Sequence, residues 1–220
     1  MKALFVSDVN QELLLQPDAE FWERVTPTAL ALQGTPLAMQ PSAAIRNTWQ
    51  NRPIGVTARV AVRAVHNGSV LAFHLDWLDP RHDVDHGDNT RWPDAAAVAL
   101  PLHQDAPLLS MGAPGAPVAA WYWRADSAEA GMQVVAEGPG SSRIVDRAQV
   151  RVAARWHDSG WRVVITRPLR VDGAADVVQL ESGATTRFGV AVWEGGSQER
   201  GGLKAFSGDW LPLELAAGAN

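Results

Sequence analysis

A stretch of alternating apolar and polar residues, interrupted by Asn-Gly, constrains the fold of this chain more than any other feature. In GVTARVAVRAVHNGSVLAFHLDW, residues 55–77, Val60 and Val62 alternate with polar side chains before the turn. After Asn67-Gly68 the alternation resumes on the return arm. A period of two residues is that of a strand with one buried face, and Asn-Gly is typical of a two-residue hairpin turn. The stretch therefore predicts an antiparallel β-hairpin.

Strand patterns recur along the rest of the chain. A second hairpin is predicted for VRVAARWHDSGWRVVITRPL, residues 150–169, with its turn at Asp158-Ser159-Gly160. Six further ranges read as strands: 34–40, 95–102, 118–125, 132–137, 186–193 and 209–215. A short helical segment is predicted around 18–24, after Pro17. Many short strands between turn signals are typical of an antiparallel β-sandwich or a barrel, so we expect one all-β domain over residues 1–220 with a few short helices.

Composition excludes several kinds of partner and site. The net charge of −5 provides no overall positive field for nucleic acid, and no stretch approaches the ~20 apolar residues of a transmembrane helix. The chain has no cysteine, which excludes disulfides, thiolate metal sites and covalent attachment of haem through C-x-x-C-H. The N-terminus MKALFVSDVNQELLL lacks an uninterrupted apolar segment and does not read as a secretory signal, which taken alone indicates the cytoplasm.

The segment DPRHDVDHGDN, residues 79–89, contains a possible set of metal ligands. His82 and His86 are four residues apart and are accompanied by three aspartates, Asp83, Asp85 and Asp88. That spacing places two histidines on one face only in a helix, and this stretch is loop-like. We therefore favour a solvated polar loop over a metal-dependent active site.

A second candidate is PLLSMGAPGAPVAAWYWRAD, residues 107–126. Met111 lies between an apolar run and a Gly/Pro turn, which fits either core packing or a thioether at the mouth of a cavity. In the strand that follows, Trp121 and Trp123 share one face and Tyr122 lies on the other. The two tryptophans could be sandwich core, a platform for a sugar or a wall for a flat cofactor. Composition does not choose among these three.

Lys204 is unusual because it is one of two lysines, with Lys2, in a chain of seventeen arginines. It lies between Gly201-Gly202 and Ser207-Gly208, where glycine allows the backbone to approach another group closely. A buried lysine loses its proton readily and becomes a neutral amine, whereas arginine stays charged. Lys204 is therefore either an exposed turn residue or a nucleophile, base or metal ligand.

Four stretches of the chain resemble the haem b subunits of molybdenum dehydrogenases and reductases, a family that includes the gamma subunits of ethylbenzene and dimethyl sulfide dehydrogenases. Steroid C25 dehydrogenases, selenate reductase and chlorate reductase belong to the same group. The matching stretches are AVHNGSV (64–70), MGAPGAPVAAWYWRAD (111–126), VAEG (135–138) and AVWEGGSQERGGLKAFSGDW (191–210). The second and fourth, in this order, are the specific ones.

The resemblance implies a β-sandwich that holds one non-covalent haem b, with a methionine and a lysine as axial ligands of the iron. On this sequence these ligands are Met111 and Lys204. Trp121 and Trp123 are expected as cofactor-binding walls, and arginines are expected to bind the haem propionates. Because both axial positions would be filled, the resemblance implies electron transfer and no catalysis at this haem.

The same resemblance implies partners and a location. We expect an alpha subunit with a molybdenum cofactor, a beta subunit with iron–sulfur clusters, and a soluble acceptor such as a c-type cytochrome. Electrons would pass from the beta subunit through this chain to that acceptor. We expect a periplasmic complex, exported together with a partner that carries a twin-arginine signal. The alternative function is a carbohydrate-binding module that uses Trp121 and Trp123.

Overall fold

A computed structural model describes residues 1–87, 90–127, 131–145 and 148–218. Its strands are β1 (Lys2–Phe5), β2 (Thr28–Ala31), β3 (Gln33–Gly34), β4 (Arg59–His66), β5 (Val70–Leu78), β6 (Ala95–Pro101), β7 (Val118–Arg124), β8 (Met132–Ala136), β9 (Arg143–Ile144), β10 (Arg151–His157), β11 (Gly160–Pro168), β12 (Thr185–Trp193), β13 (Ala205–Phe206) and β14 (Leu211–Leu215). The described helices are α1 (Gln11–Leu14) and α2 (Ala43–Trp49), with 3₁₀ segments at Glu20–Arg24, Leu37–Met39 and Gly195–Ser197.

The strands form the predicted β-sandwich from one continuous sheet. One layer has the order β10-β11-β5-β4, and the other has the order β14-β12-β6-β7-β8-β9. Strand β1 joins the layers by pairing in parallel with β4 and with β14. All other pairings among the described strands are antiparallel. The prediction of an all-β sandwich is therefore confirmed. Its strands are antiparallel as expected, except that β1 pairs in parallel with both of its neighbours.

Both predicted hairpins are present, and local chemistry explains their turns. In the first, Asn67 Oδ1 accepts hydrogen bonds from the backbone N–H groups of Ser69 and Val70 at 3.1 and 2.9 Å. In the second, Asp158 and Ser159 connect β10 to β11 with φ values of 48° and 61°. Positive φ at both central residues is the geometry of a tight hairpin turn that matches the twist of its strands.

The main core lies between the two layers. Phe73 of β5 meets Trp121 of β7 and Phe188 of β12, with ring centroids 5.9 and 5.6 Å apart. Trp123 of β7 packs edge-on against Trp161 of β11 at 4.8 Å. These aromatic pairs connect the two facing layers. Each pair stabilises the fold beyond the contribution of its buried apolar area.

Two local predictions differ from the structure. The range 34–40 was expected as a strand, but only Gly34 belongs to one, and a 3₁₀ segment follows it. Pro36 and Pro41 flank that segment and have no N–H to donate to a sheet. The helix predicted at 18–24 is the 3₁₀ segment Glu20–Arg24. None of the helices in the described ranges is long and apolar enough to cross a membrane.

Candidate functional site

The outer face of the second layer is built from small residues. Successive side chains of a strand point to opposite faces, so Val98 and Trp121 enter the core while Ala97 and Ala120 face outward. Ala99 also faces outward and is 7% exposed. Together with Gly189 and Ala191 of β12, these residues give the sheet a flat, apolar floor.

A cavity of about 480 Å³ lies over this floor. Four segments provide its other walls. The lining residues in these segments are Thr35, Met39, Gln40, Pro41, Leu108, Leu109, Ser110, Met111, Gly138, Pro139, Gly140, Ser142, Gly201, Gly202, Lys204 and Phe206. Its volume is in the range of pockets that enclose organic ligands. Most of the lining is apolar, and Lys204 is the one charged side chain among the described lining residues. The cavity therefore suits a flat, mainly apolar group.

Lys204 is a buried cation without a counter-ion. Its side chain lies beside Trp193, with Nζ 5.1 Å from the ring centroid, and the residue is 9% exposed. No carboxylate in the described ranges pairs with it. Burial lowers the pKa of Lys204 from 10.5 to about 8. Burial thus makes the neutral amine, whose lone pair can bind a metal, easier to reach than in an exposed lysine.

The backbone that carries Lys204 is held in place on both sides. The Thr35 N–H donates to the Lys204 carbonyl at 3.0 Å, and Gln40 Nε2 donates to the Gly202 carbonyl at 2.9 Å. Earlier in the loop, the buried Glu199 carboxylate accepts from the N–H groups of Gly55 and Val56 at 2.6 and 3.0 Å. The lysine is therefore positioned by contacts that do not need a cofactor.

Met111 lies at a strained backbone position in the same lining. Its φ is +55°, a left-handed conformation that is uncommon for a residue other than glycine. The Met111 N–H donates to the Leu108 carbonyl at 2.9 Å, and its carbonyl accepts from the Gly138 N–H at 3.1 Å. Such strain persists only where the surroundings enforce it, and it is common at functional sites. The fold thus brings Met111 and Lys204, which are far apart in sequence, to one cavity.

The structure corrects the assignment of Trp121 and Trp123. Both lie on the core face of β7, with exposures of 0% and 2%, and neither lines the cavity. They therefore serve neither as cofactor walls nor as a sugar platform. The aromatic lining is instead Tyr122, Trp193 and Phe206. The alternation along Trp121-Tyr122-Trp123 already placed Tyr122 on the face opposite the two tryptophans. That alternation was the sequence signal that could have identified Tyr122 as a lining residue.

None of the arginines that the structure describes lines the cavity, so the expected partners for cofactor carboxylates are not among them. Arg167, the most buried arginine described, lies in the core with its guanidinium over Trp121 at 5.0 Å. Acidic groups on a bound cofactor would thus have to lie at the mouth of the cavity. The exposed residues Gly140 and Ser142 form part of that mouth.

The His82/His86 segment does not form a metal site in the structure. His82 stacks on Trp156 with centroids 5.0 Å apart, and His86 packs against Trp92 at 4.8 Å. Asp88 lies outside the described residues. Among those that are described, no group of three histidine, aspartate or glutamate residues could hold a metal ion.

The geometry passes a chemical test for the haem that the sequence resemblance implies. The floor of small side chains leaves room for a flat ring, and the lining supplies a thioether and an uncompensated amine. Methionine sulfur is a soft ligand that suits iron, and a desolvated lysine can ligate once its proton is lost. Without cysteine, attachment would be non-covalent.

The burial of Lys204 predicts a pH effect on the cofactor-free protein. Because the pKa of Lys204 is about 8 in the folded chain against 10.5 ordinarily, the unfolded chain holds the proton more tightly between these values. The free energy of unfolding should therefore rise as the pH rises from 8 towards 10. The full difference corresponds to about 3 kcal/mol, and Lys204→Leu should remove the rise. Urea denaturation of both proteins at several pH values measures this, and equal slopes would contradict it.

Solved structures with the same fold bind carbohydrate. A family 9 carbohydrate-binding module from Caldicellulosiruptor kristjanssonii in complex with glucose has a TM-score of 0.52 at 10% identity, covering 100% of this chain and 97% of that one. Its complex with cellotriose has a TM-score of 0.53 at 9% identity, covering 100% and 95%. At this identity the likeness shows the sandwich fold alone.

Relatives found by sequence are more similar to this chain than these solved structures are. The gamma subunit of chlorate reductase from Ideonella dechloratans is 36% identical over 160 residues, which cover 72% of this chain and 66% of the relative. The gamma subunit of dimethylsulfide dehydrogenase from Rhodovulum sulfidophilum is 28% identical over 202 residues, 89% and 73% of the two chains. A Haloferax mediterranei protein with the provisional name of respiratory nitrate reductase heme subunit is 28% identical over 193 residues, 87% and 68%. The matched segment thus spans about two thirds of the length of these relatives.

A family profile covers most of the chain. The profile described as ethylbenzene dehydrogenase matches residues 19–143 and 139–205. These ranges include Met111, Lys204 and every strand of the cavity floor. With the cavity and its two donors in place, the match is sufficient to conclude that this chain belongs to the ethylbenzene dehydrogenase family.

Proposed function

We propose that this chain is the electron-transfer haem b subunit, gamma, of a heterotrimeric molybdenum oxidoreductase of the ethylbenzene dehydrogenase type. The observation that carries the proposal is Lys204, a buried amine that lines a mostly apolar cavity together with Met111 and has no carboxylate partner among the described residues. The names of two relatives, as gamma subunits of oxidoreductases, and of a third, as a heme subunit, support the same assignment.

Met111 and Lys204 would hold the haem iron. The haem would supply a carrier for one electron. Lys204 would bind iron as the neutral amine, and its lowered pKa reduces the cost of losing the proton. A thioether ligand stabilises ferrous iron and raises the reduction potential. The mostly apolar lining disfavours the charged form of the amine.

A site with two protein ligands has no open position for a substrate. This chain would therefore pass electrons and leave C–H hydroxylation to the molybdenum alpha subunit. Electrons would arrive from the iron–sulfur beta subunit and leave to a soluble acceptor such as a c-type cytochrome. We place the complex in the periplasm, co-exported with a twin-arginine-bearing partner, which fractionation of the native cells would test.

Haem titration of the purified chain tests the proposal. Adding haemin to the cofactor-free protein should produce a Soret band that saturates at one haem per chain and shifts reversibly on reduction. The ferrous spectrum should be that of six-coordinate, low-spin iron. A folded protein that takes up no haem would contradict the proposal.

The carbohydrate-binding alternative has no such support. It depends on Trp121 and Trp123 as an exposed platform, and both side chains are buried between the layers. The solved sugar complexes share the fold with this chain at 9 to 10% identity, which carries no ligand assignment.

A further inference from the structure

Two arginines beside the loop that carries Lys204, Arg52 and Arg200, form a like-charged pair. Seven of the described arginines pair with a carboxylate: Arg81, Arg124, Arg143, Arg151, Arg155, Arg162 and Arg170. Arg52 and Arg200 have no such partner in the part of the chain that the structure describes. Burial, followed by the charge of Arg52, lowers the pKa of Arg200. The two guanidinium groups therefore repel each other without a compensating acid.

The structure holds this like-charged pair in a fixed arrangement. Arg52 Nη1 donates to Gln198 Oε1 at 3.0 Å, and Arg200 Nη1 donates to the Gln198 carbonyl at 2.8 Å. Each guanidinium also stacks on a tryptophan, Arg52 on Trp49 at 4.5 Å and Arg200 on Trp92 at 4.6 Å. Such stacking offsets part of the repulsion and limits side-chain motion.

The nearest acidic residue along the chain does not neutralise the pair. Glu199 is 1% exposed, and its carboxylate accepts hydrogen bonds from backbone N–H groups, including those of Gly55 and Val56. The positive charge of Arg52 and Arg200 thus remains available at the surface, although the net charge of the chain is −5.

The position of the pair relates it to the cavity. Arg200 directly precedes Gly201 and Gly202, which line the cavity wall that ends at Lys204. Arg46, which also has no carboxylate partner among the described residues, donates to the carbonyl of Gln40, another lining residue. A molecule bound to this patch would lie next to the cavity that we assign to the haem.

We propose that Arg52 and Arg200, bordered by Arg46, form a docking surface for the acidic face of an electron-transfer protein, an inference that rests on the haem site proposed above. Planar guanidinium groups match carboxylates in bidentate geometry, and complementary charge speeds the encounter of redox partners. The repulsion within the unliganded pair would be relieved when carboxylates bind.

The first test does not depend on haem. Binding of a fluorescein-labelled oligoglutamate peptide to the full cofactor-free chain is measured by fluorescence anisotropy at low ionic strength. The double variant Arg52→Gln/Arg200→Gln should bind at least about tenfold more weakly than wild type. The matched control, Arg24→Gln/Arg59→Gln, removes two exposed arginines elsewhere and should bind as wild type does. Equal affinities of the double variant and its control would overturn the proposal.

The second test uses the haem-loaded chain and small oxidants of opposite charge. One electron passes from ferrous haem to ferricyanide, which becomes ferrocyanide, or to tris(phenanthroline)cobalt(III), which becomes cobalt(II). In wild type, the rate with ferricyanide should fall as salt is added, because the local field attracts the anion despite the net negative charge. In the double variant, electron transfer to ferricyanide should be slower than in wild type, and electron transfer to the cobalt complex should be faster. Both differences should vanish at high salt.

A haem titration separates this surface from the cofactor site. If the double variant binds haem as tightly as wild type but loses peptide affinity, the docking surface is supported. If it loses haem affinity and keeps peptide affinity, the arginines hold the cofactor's own carboxylates and the docking proposal is wrong. If wild type takes up no haem but still binds the peptide through these arginines, the haem proposal is wrong. The proposal that the arginines bind an acidic protein surface is then still supported.

Discussion

Replacing Lys204 with arginine should lower the affinity for haem by more than about 100-fold and remove the six-coordinate, low-spin spectrum. Arginine keeps the positive charge and much of the length of lysine but does not give up its proton at accessible pH. It therefore has no lone pair for iron. The variant also puts an unpaired guanidinium into the apolar cavity, which should destabilise the cofactor-free fold.

The chain provides a matched control for this substitution. Lys2 is the other lysine, lies on β1 away from the cavity and forms an ion pair with Glu214 at 3.1 Å. Lys2→Arg should leave haem affinity and the optical spectrum unchanged. Lys204→Leu adds a neutral, non-ligating variant, which should keep the fold but show five-coordinate iron. An unchanged spectrum in Lys204→Arg would show that Lys204 is not a ligand.

Filling the cavity floor should have an effect of comparable size. Ala99→Phe places a ring in the space over β6, because the side chain of Ala99 points away from the core. Haem uptake should be lost, while the cofactor-free protein keeps its free energy of unfolding or gains some through the added apolar burial. Haemin titration and urea denaturation measure the two quantities on the same preparation.

A smaller substitution at the same position is the control. Ala99→Ser changes polarity with little change in volume and should keep haem binding at one per chain. If Ala99→Phe binds haem as wild type does, the floor of the cavity is not where the ring lies. A fall in stability for Ala99→Phe would instead show that the space over β6 is too small for the side chain.

The fold could be predicted where a local rule dominates. Asn67-Gly68 predicted the first hairpin because Gly68 takes a positive φ of 90° and Asn67 Oδ1 accepts hydrogen bonds from the N–H groups of Ser69 and Val70. The period-two pattern placed β6, β7 and β8 within one residue at each end. The strand predicted for 34–40 was wrong because Pro36 within the range and Pro41 directly after it have no N–H to donate to a sheet. Helix α2 was missed because its seven residues are too few to show a helical period.

The site was partly predictable for the same kind of reason. Lys204 and Met111 were identified through rarity, chemistry and resemblance, which are properties of single residues and their motifs. The choice of face for Trp121 and Trp123 depends on which side of β7 meets the opposite layer, and strand alternation alone gives two equal answers. The alanines of the floor carry no chemical signal, and only their common face in the folded sheet identifies them.

The arginines show a third limit. Which of seventeen would lie near the cavity depends on long-range pairing, because Arg52 and Arg200 meet through Gln198 from distant parts of the sequence. Sequence distance conceals this convergence, and it becomes visible only when the loop after α2 packs against the loop after β12.

A crystal structure of the chain loaded with haem tests the central claim most directly. Our account predicts one haem in the cavity over β6, β7 and β12, with its iron bonded to the sulfur of Met111 and to Nζ of Lys204. Iron bonded to a histidine, an open axial position, or a haem bound outside this cavity would contradict it.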